Sequence, residues 1–281
     1  MHCHSNFSDG IYSPEELLEL AQQEGLKLFS ITDHDTIEGT NVAEKMSNNY
    51  SFAYLTGIEL SARHEQTKIE ILGYNFNSTN ARLHEKMMFL QEKRNERIFK
   101  ILGKLNEMNL DVTYEDILKQ IGSGVSPGRP HLARAMIDKK IVKTINEAFE
   151  KYIGNEKPAY VQRETITPQE AIDLILSGNG TAVLPHPLLV EGKNLQKLEE
   201  YLELLLSWKL KGIEVYYNYD HIPSFLSKRQ INSGIKFLIK YCKKNDLLIT
   251  GGTDFHGESG RLGSVFIPRE EIENIFSYFN L

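Results

Sequence analysis

Two histidines stand two residues apart at the start of the chain, His2 and His4 in "MHCHSNFSDG", with an Asp-Gly turn at Asp9 and Gly10 before the first apolar run. In an extended segment alternate side chains share a face, so the two imidazoles point together and Cys3 points away. Two imidazoles on one face can grip one cation, although a His-x-His pair by itself is a weak sign of a metal. Further candidates recur along the chain. His34 follows "LFSITD", Glu59 follows "YLTGI", Glu70 lies within "KIEIL", His186 follows "AVLP", and Asp254 and His256 follow "LLITGGT" or lie just beyond it. Each sits on an expected strand or at its C-terminal end, the edge where catalytic groups from separate strands converge in parallel α/β sheets and barrels. Imidazoles and carboxylates repeated at nearly every strand point to a multinuclear metal site, since buried charges otherwise need partners. The donor types suit Zn, Mn or Fe.

These positions require strands separated by helices. Ser13-Pro14-Glu15-Glu16 and Thr167-Pro168-Gln169-Glu170 each place a hydroxyl at an N-cap, Pro at the first helical position and Glu three residues after the cap. They open helices over 14–24 and 168–177. The strand-like runs "LKLFSITDHD" and "GTAVLPHP" follow those helices. "AYLTGIEL", "IEILGYNF", "GIEVYY" and "LLITGGTDFH" are further strands, and helical patterns cover 194–211 and 223–245. With the opening segment the strands number seven, and their alternation with helices predicts parallel pairing in a wound sheet or barrel. Between the fourth and fifth strands the pattern is helical over 81–109, then in shorter pieces around 113–121, 130–140 and 144–153. We therefore divide the chain into a barrel formed by 1–80 and 164–281 and an all-helical insertion, 81–163, that caps it. The apolar stripe Met88, Ile98, Ile101 and Leu105 is expected to pack rather than to bind.

The bulk composition is compatible with this plan. A chain of 281 residues with 41% hydrophobic and 25% charged residues can bury a sizeable core and is not a largely disordered polymer. No apolar run is long enough to span a bilayer and no secretory leader opens the sequence, so a cytoplasmic protein is expected. The two cysteines, Cys3 and Cys242, form no CxxC and suit a reducing compartment. Charge is uneven: between Arg82 and Arg163 there are 16 Lys and Arg against 11 Asp and Glu, in a chain whose net charge is -6. That basic segment is either a solvated helical surface or a face turned toward an anionic substrate.

"HCHSNFSDG", "ITDHDT", "TGIELSA", "LPHP" and "GGTDFHG", in this order and at these spacings, resemble the motifs of the PHP (polymerase and histidinol phosphatase) superfamily of metal-dependent phosphoesterases, over essentially the whole chain. The helical segment with "PGRPHLARAM" resembles more narrowly the branch containing nucleotide 3',5'-bisphosphate phosphatases and RNase AM type 5'-to-3' exoribonucleases. The resemblance implies an α/β fold, a distorted seven-stranded (β/α)7 barrel, holding two or three divalent ions: Mn, Fe or Zn, with Mg also admissible. It implies that His2, His4, Glu59 and Asp254 surround the first ion. Glu59 bridges to a second, completed by His186 and Glu70, and Asp9, His34 and His256 hold a third. Two departures from the family pattern stand out. Glu70 occupies the fourth strand where this branch commonly has His, which shifts preference toward Mn, Fe or Mg. Only Met1 precedes His-x-His, where the family has further residues, so a shortened first strand and a weaker hold on its ion are expected.

Ions so placed would deprotonate water near neutral pH, hold the hydroxide in line with phosphorus and neutralise the phosphoryl oxygens. No protein nucleophile is then needed. The glycines of "IGSGVSPGRP" lack the Gly-Lys-Ser/Thr of a P-loop, and no nucleophile elbow occurs. Arg129 and His131 in "GRPH" either bind substrate phosphate, Arg by bidentate contact, or mark a charged helix N-terminus; the resemblance favours phosphate. Lys157 and His221 are further candidates for that role, His221 being equally readable as a surface residue. Tyr216, Tyr217 and Tyr219 either stack on a base or pack beside a strand. His64 and His84 read as surface residues. The expected reaction is hydrolysis of phosphate from nucleotides: 3',5'-bisphosphates, 5'-monophosphates or short 5'-phosphorylated oligonucleotides. A histidinol-phosphatase-like enzyme would share the ions without needing a basic cap. An amidohydrolase would need a metal-bridging lysine that no strand end offers, and a non-catalytic PHP module would have lost ligands that are retained here. Neither a membrane nor an obligate protein partner is indicated.

Overall fold

The computed structural model describes residues 1–65, 67–121, 127–219, 226–258 and 260–281. Its strands are β1 (Leu28–Phe29), β2 (Ala53–Tyr54), β3 (Gly57–His64), β4 (Thr67–Tyr74), β5 (Thr181–Leu184), β6 (Gly212–Tyr217) and β7 (Leu248–Gly252). They differ from the expected set at two places. The run "AYLTGIEL" breaks into β2 and β3, and the opening segment makes one isolated parallel bridge, Cys3 to Phe255, instead of a strand. β3 to β7 form a five-stranded sheet in sequence order, and β1 and β2 form a separate parallel pair. Parallel pairing was expected throughout; β4 instead runs antiparallel to both β3 and β5. Only two residues separate β3 from β4, too few for the crossover that a parallel pair requires.

The architecture is thus mixed α/β, and the two sheets do not close on one another. Single backbone bonds link their edges. Thr32 N donates to Cys3 O (2.8 Å), His4 N to Phe255 O (2.9 Å), Glu59 N to Asp33 O (3.1 Å) and Asp35 N to Glu59 O (3.0 Å). These four bonds lay residues 3–4, 32–35, 59 and 255 side by side, although the sequence scatters them from end to end.

The helices are α1 (Pro14–Gln23), α2 (Glu38–Ser47), α3 (Ala81–Glu107), α4 (Tyr114–Leu118), α5 (Arg129–Asp138), α6 (Ile145–Ala148), α7 (Pro168–Ser177), α8 (Pro187–Glu191), α9 (Leu195–Ser207), α10 (Lys228–Asn245) and α11 (Arg269–Phe279). α1 and α7 begin as their capping boxes dictate: the Ser13 and Thr167 hydroxyls accept from the backbones of Glu16 and Glu170, whose side chains accept in return. Between β4 and β5 the described regular elements are helices, α3 to α6, one π-helical turn, Phe149–Ile153, and α7; residues 154–167 are irregular, with Ile166 in a single parallel bridge to Ala62 of β3. No described helix is long and apolar enough to cross a membrane.

Alternation along β3 and β4 decides which face carries chemistry. Ile58, Leu60, Ile69 and Ile71 are buried in the main core under α7, whereas Glu59 and Glu70 lie on the opposite face, diagonal to each other across the ladder. A second apolar core belongs to the helical segment and is built from residues such as Ile98, Ile101, Leu105, Leu132 and Met136. The expected stripe needs one correction: Met88 is 72% exposed, and Met87 takes the buried place. The helix phase explains it, since 87, 90, 94, 98, 101 and 105 fall on one face of α3 and 88 is turned about 100° away. Ile101→Ala removes a fully buried side chain from the second core, so urea denaturation should report a loss of about 2–5 kcal/mol.

Candidate metal centre and the basin beside it

The scattered histidines and acids meet at the strand ends. Ligand atoms of His2, His4, Glu59 and Asp254 lie within 4.8 Å of one another, as do those of His4, Asp9, His34 and His256, and those of His34, Glu59 and Glu70. The first group is the set expected around the first ion. The set expected around the third gains His4. In the remaining group His34 accompanies Glu59 and Glu70 where His186 was expected. His186 adjoins it, with Nε2 3.4 Å from Glu59 Oε1 and 3.6 Å from Glu70 Oε2.

Each side chain is positioned by local backbone and by a second row of acids. Asp33 and Asp35 flank His34 and point away from it. Asp33 accepts from Ser5 N (2.7 Å), Ser5 Oγ (2.6 Å) and Ser8 Oγ (2.6 Å), tying the His-x-His segment to the β1 extension. Asp35 accepts from Ser61 N (2.9 Å) and pairs with Arg163 (2.7 Å). Glu214, central in "GIEVYY", contacts His2 Nδ1 at 3.1 Å and accepts from His186 N at 2.9 Å, which leaves Nε2 of His2 facing the cluster. Gly252 is required beside it, since a Cβ there would stand 2.3 Å from His2 Cβ. His186 and Asp254 both adopt positive φ, +32° and +49°, a backbone state that costs energy in L residues and recurs at functional sites. Asp33, Asp35 and Glu214 were not singled out from the sequence; the acids of "TDHD" and the lone acid inside an apolar strand were the available signals.

The electrostatics call for cations. Glu59 is 1% exposed. Both its oxygens, together with His2 Nε2, both nitrogens of His4 and His34 Nδ1, are buried without a hydrogen-bond partner. Their separations of 3.0–3.4 Å are close enough for charge pairing, but the angles do not make hydrogen bonds. Such orphaned donors and acceptors are rare inside proteins, and a divalent ion is the partner that imidazole and carboxylate atoms share. Burial alone would raise the Asp9, Glu59 and Asp254 carboxyls; the surrounding histidines overcome it and hold all three well below the usual carboxylate range. Burial lowers His2, His4, His186 and His256, yet the acids outweigh it and each ends raised, His4 to about 10. For His34 burial dominates and its value falls.

Beside the cluster opens a basin of about 740 Å³, lined by Asp9, His34 and Glu70 at one end and by Arg94, Arg97, Arg129 and Arg163 among others. Arg129, the first residue of α5, is among that lining. Lys157 is exposed and is not part of the basin lining, and His221 lies outside the described residues. His131 is 2% exposed and turned back into its own helix start, where Nδ1 accepts from Gly128 N at 3.0 Å. Burial and the nearby Arg94 lower its value to about 3, so the ring is neutral. Tyr217 reaches the site, its hydroxyl donating to Asp254 Oδ2 (3.1 Å), whereas Tyr219 is buried in the main core. Arg134 on α5 donates to the Asp9 carbonyl (3.1 Å) and to Glu258 (3.0 Å), fixing the Asp9 turn. Arg94, Arg97, Arg134 and Arg163 were visible in the sequence only as part of a basic segment.

Two outcomes are expected. Glu214→Gln removes the charge that orients His2, and competition with a chelator should show metal held about 10–100-fold more weakly. His131, neutral when folded, gains a proton more readily when unfolded. Its contribution is thus complete above pH 6.5 and is lost as pH falls from 6.5 toward 3, about 2 kcal/mol by pH 5. Denaturation of His131→Gln across that window should follow pH less steeply than the parent.

A family model described as PHP domain matches residues 1–207. A 5'-3' exoribonuclease of Haemophilus influenzae is 30% identical over 262 residues, covering 92% of this chain and 90% of that protein. A 3',5'-nucleoside bisphosphate phosphatase of Chromobacterium violaceum is 26% identical over 267 residues, 93% of this chain and 88% of that one. The solved structure of a candidate metal-dependent phosphoesterase from Bifidobacterium adolescentis superposes with a TM-score of 0.85 at 26% identity, covering 98% of this chain and 94% of that one. With a family match that spans well over half its length, the chain belongs to the PHP domain family.

Proposed function

We propose that this chain is a metal-dependent phosphoesterase that releases phosphate from nucleotides, either 3',5'-bisphosphates, 5'-monophosphates or short 5'-phosphorylated oligonucleotides. One observation carries the reading: a cluster of partnerless buried imidazole and carboxylate atoms opens directly onto a basin lined by five arginines. One wall suits cations and the other anions, and a phosphate ester held between them touches both. Two or three divalent ions, Mn, Fe or Zn with Mg also admissible, supply water activation and charge neutralisation when bound. His2, His4, Glu59 and Asp254 are assigned to one ion, Asp9, His34, His256 and His4 to another, and Glu59, Glu70, His186 and His34 to a third position. Lys68, 2.6 Å from Glu70, offsets part of the negative charge that Glu adds where the family commonly has His.

The chain's own residues bind and orient the substrate. Arg129 is held by the Ile153 carbonyl (3.1 Å) and by the rings of Phe149 and Tyr160, which leaves guanidinium edges for a phosphate. We read 81–163 as the cap that brings this wall to the metal centre, and the names of the two relatives support a nucleotide or RNA substrate.

The Mn-loaded protein should turn over adenosine 3',5'-bisphosphate, AMP or a 5'-phosphorylated oligoribonucleotide with a higher kcat/KM than histidinol phosphate. Glu59→Gln should lose more than about 100-fold, beyond the range seen for partners that merely orient ligands. Preference for histidinol phosphate would overturn the substrate assignment, and turnover unaffected by Glu59→Gln would overturn the metal assignment.

A further inference from the structure

The arginines of the basin, Arg63, Arg94, Arg97, Arg129 and Arg163, are not equivalent, and Arg94 stands apart from the three that adjoin it in the helical segment and at its end. Arg163 is paired with Asp35 at 2.7 Å. Arg97 donates to the Val161 carbonyl at 2.7 Å and lies against Tyr160, and Arg129 is anchored as described above. Arg94 differs from all three. It is 8% exposed, and among the described residues no carboxylate lies within 4.0 Å of it. Among the described residues its hydrogen bond is from Nη1 to the His34 carbonyl, at 3.3 Å. A guanidinium taken out of water without a carboxylate in contact is costly: burial, then Arg163, lower its value, and the more distant Asp9, Asp35 and Asp33 offset this only in part. The fold nevertheless holds it there. α3 aims Arg94 and Arg97, three residues apart, into the same basin. Gly128 at the start of α5 leaves room for it: a Cβ at that position would stand 2.6 Å from Arg94 Nη2.

We propose that Arg94 is a catalytic residue that contacts the phosphoryl group undergoing hydrolysis. The guanidinium lies between His34, a member of the metal centre, and the GRPH turn, at the end of the basin where the reacting phosphorus must approach the ions. Its planar fork matches two phosphoryl oxygens, and contacts of this kind strengthen as charge develops on them. The anion supplies the directly contacting negative partner that Arg94 has from no described residue. The assignment of a reacting phosphoryl group rests on the phosphoesterase reading above; the binding of an anion by Arg94 does not.

The opposing view is that Arg94 is a strut that steadies the His34 carbonyl. The metal-loaded protein is titrated with inorganic phosphate by calorimetry and by thermal unfolding, against chloride at matched ionic strength, with metal content measured in every variant. In Arg94→Met the Tm without phosphate should be no lower than in the parent, since a costly charge is gone. Phosphate should bind at least tenfold more weakly, its stabilising effect should shrink, and kcat/KM should fall about 10²–10³-fold at unchanged metal content. Gly128→Ala keeps every charge but displaces the flexible end of Arg94, and Arg94→Lys keeps the charge without the fork, so both should also weaken phosphate binding. An Arg94→Met protein that is less stable yet binds phosphate as the parent does would overturn the proposal. If Arg94→Met fails to fold, parent-like phosphate affinity in both Gly128→Ala and Arg94→Lys would do the same. Should the parent hydrolyse no phosphate ester while phosphate binding still depends on Arg94, the activity reading falls and the anion site stands.

Discussion

Glu59 is the point on which the structure turns. Its carboxylate is almost wholly buried, accepts no hydrogen bond, and lies within 3.4 Å of nitrogens from His2, His4, His34 and His186. A charge in that position is stable only among opposite charges. The protons that those acids hold on the histidines supply the charge in the absence of metal, and loading an ion must expel them. Metal occupancy is therefore tied to pH through the same contacts that make the site compact. The irregular edges of the fold serve this constraint. Residues 3–4, 32–35 and 255 are joined by single bonds rather than full ladders, which lets His4, His34 and His256 approach from separate segments around one carboxylate.

The second wall is its electrical complement. Five arginines line the basin with the acids, and Arg163 among them is paired with Asp35. α3 packs on the main core through Leu83, Met87 and Leu90 and on the second core through Ile98, Ile101 and Leu105, and Arg94 and Arg97 sit at the join between the two. Asp35 is bound at once to Ser61 on β3 and to Arg163 at the end of the 81–163 segment.

Much of the site could be read from residue types alone. Histidine and acid at the end of each apolar run are rare enough to be noticed, and their chemistry does not depend on knowing how the strands pair. Pairing itself was less legible. Alternation in "TGIELSARH" and "TKIEILGY" reveals faces but not direction, and a connection of two residues, which forces the antiparallel ladder, was overshadowed by the βα rhythm elsewhere. Asp33, Asp35 and Glu214 escaped notice because acids that hold ligands in place bear no spacing rule of their own. Arg94 and Arg163 lie 60 and 128 residues in sequence from their partners His34 and Asp35; folding places them on one basin, which periodicity cannot foresee. His131 was misleading for a local reason: at the third position of α5 its ring turns back to the Gly128 amide, a capping role that uses the same residue type as phosphate binding.

The central claim is that these acids and imidazoles jointly hold divalent ions. Anomalous scattering from crystals grown with manganese measures this directly. Peaks of ordered Mn within bonding distance of Glu59, with at least one more ion shared by Asp9 and His256, are the expected result. Crystals with an intact cluster and no anomalous peak at Glu59 under saturating manganese would contradict it.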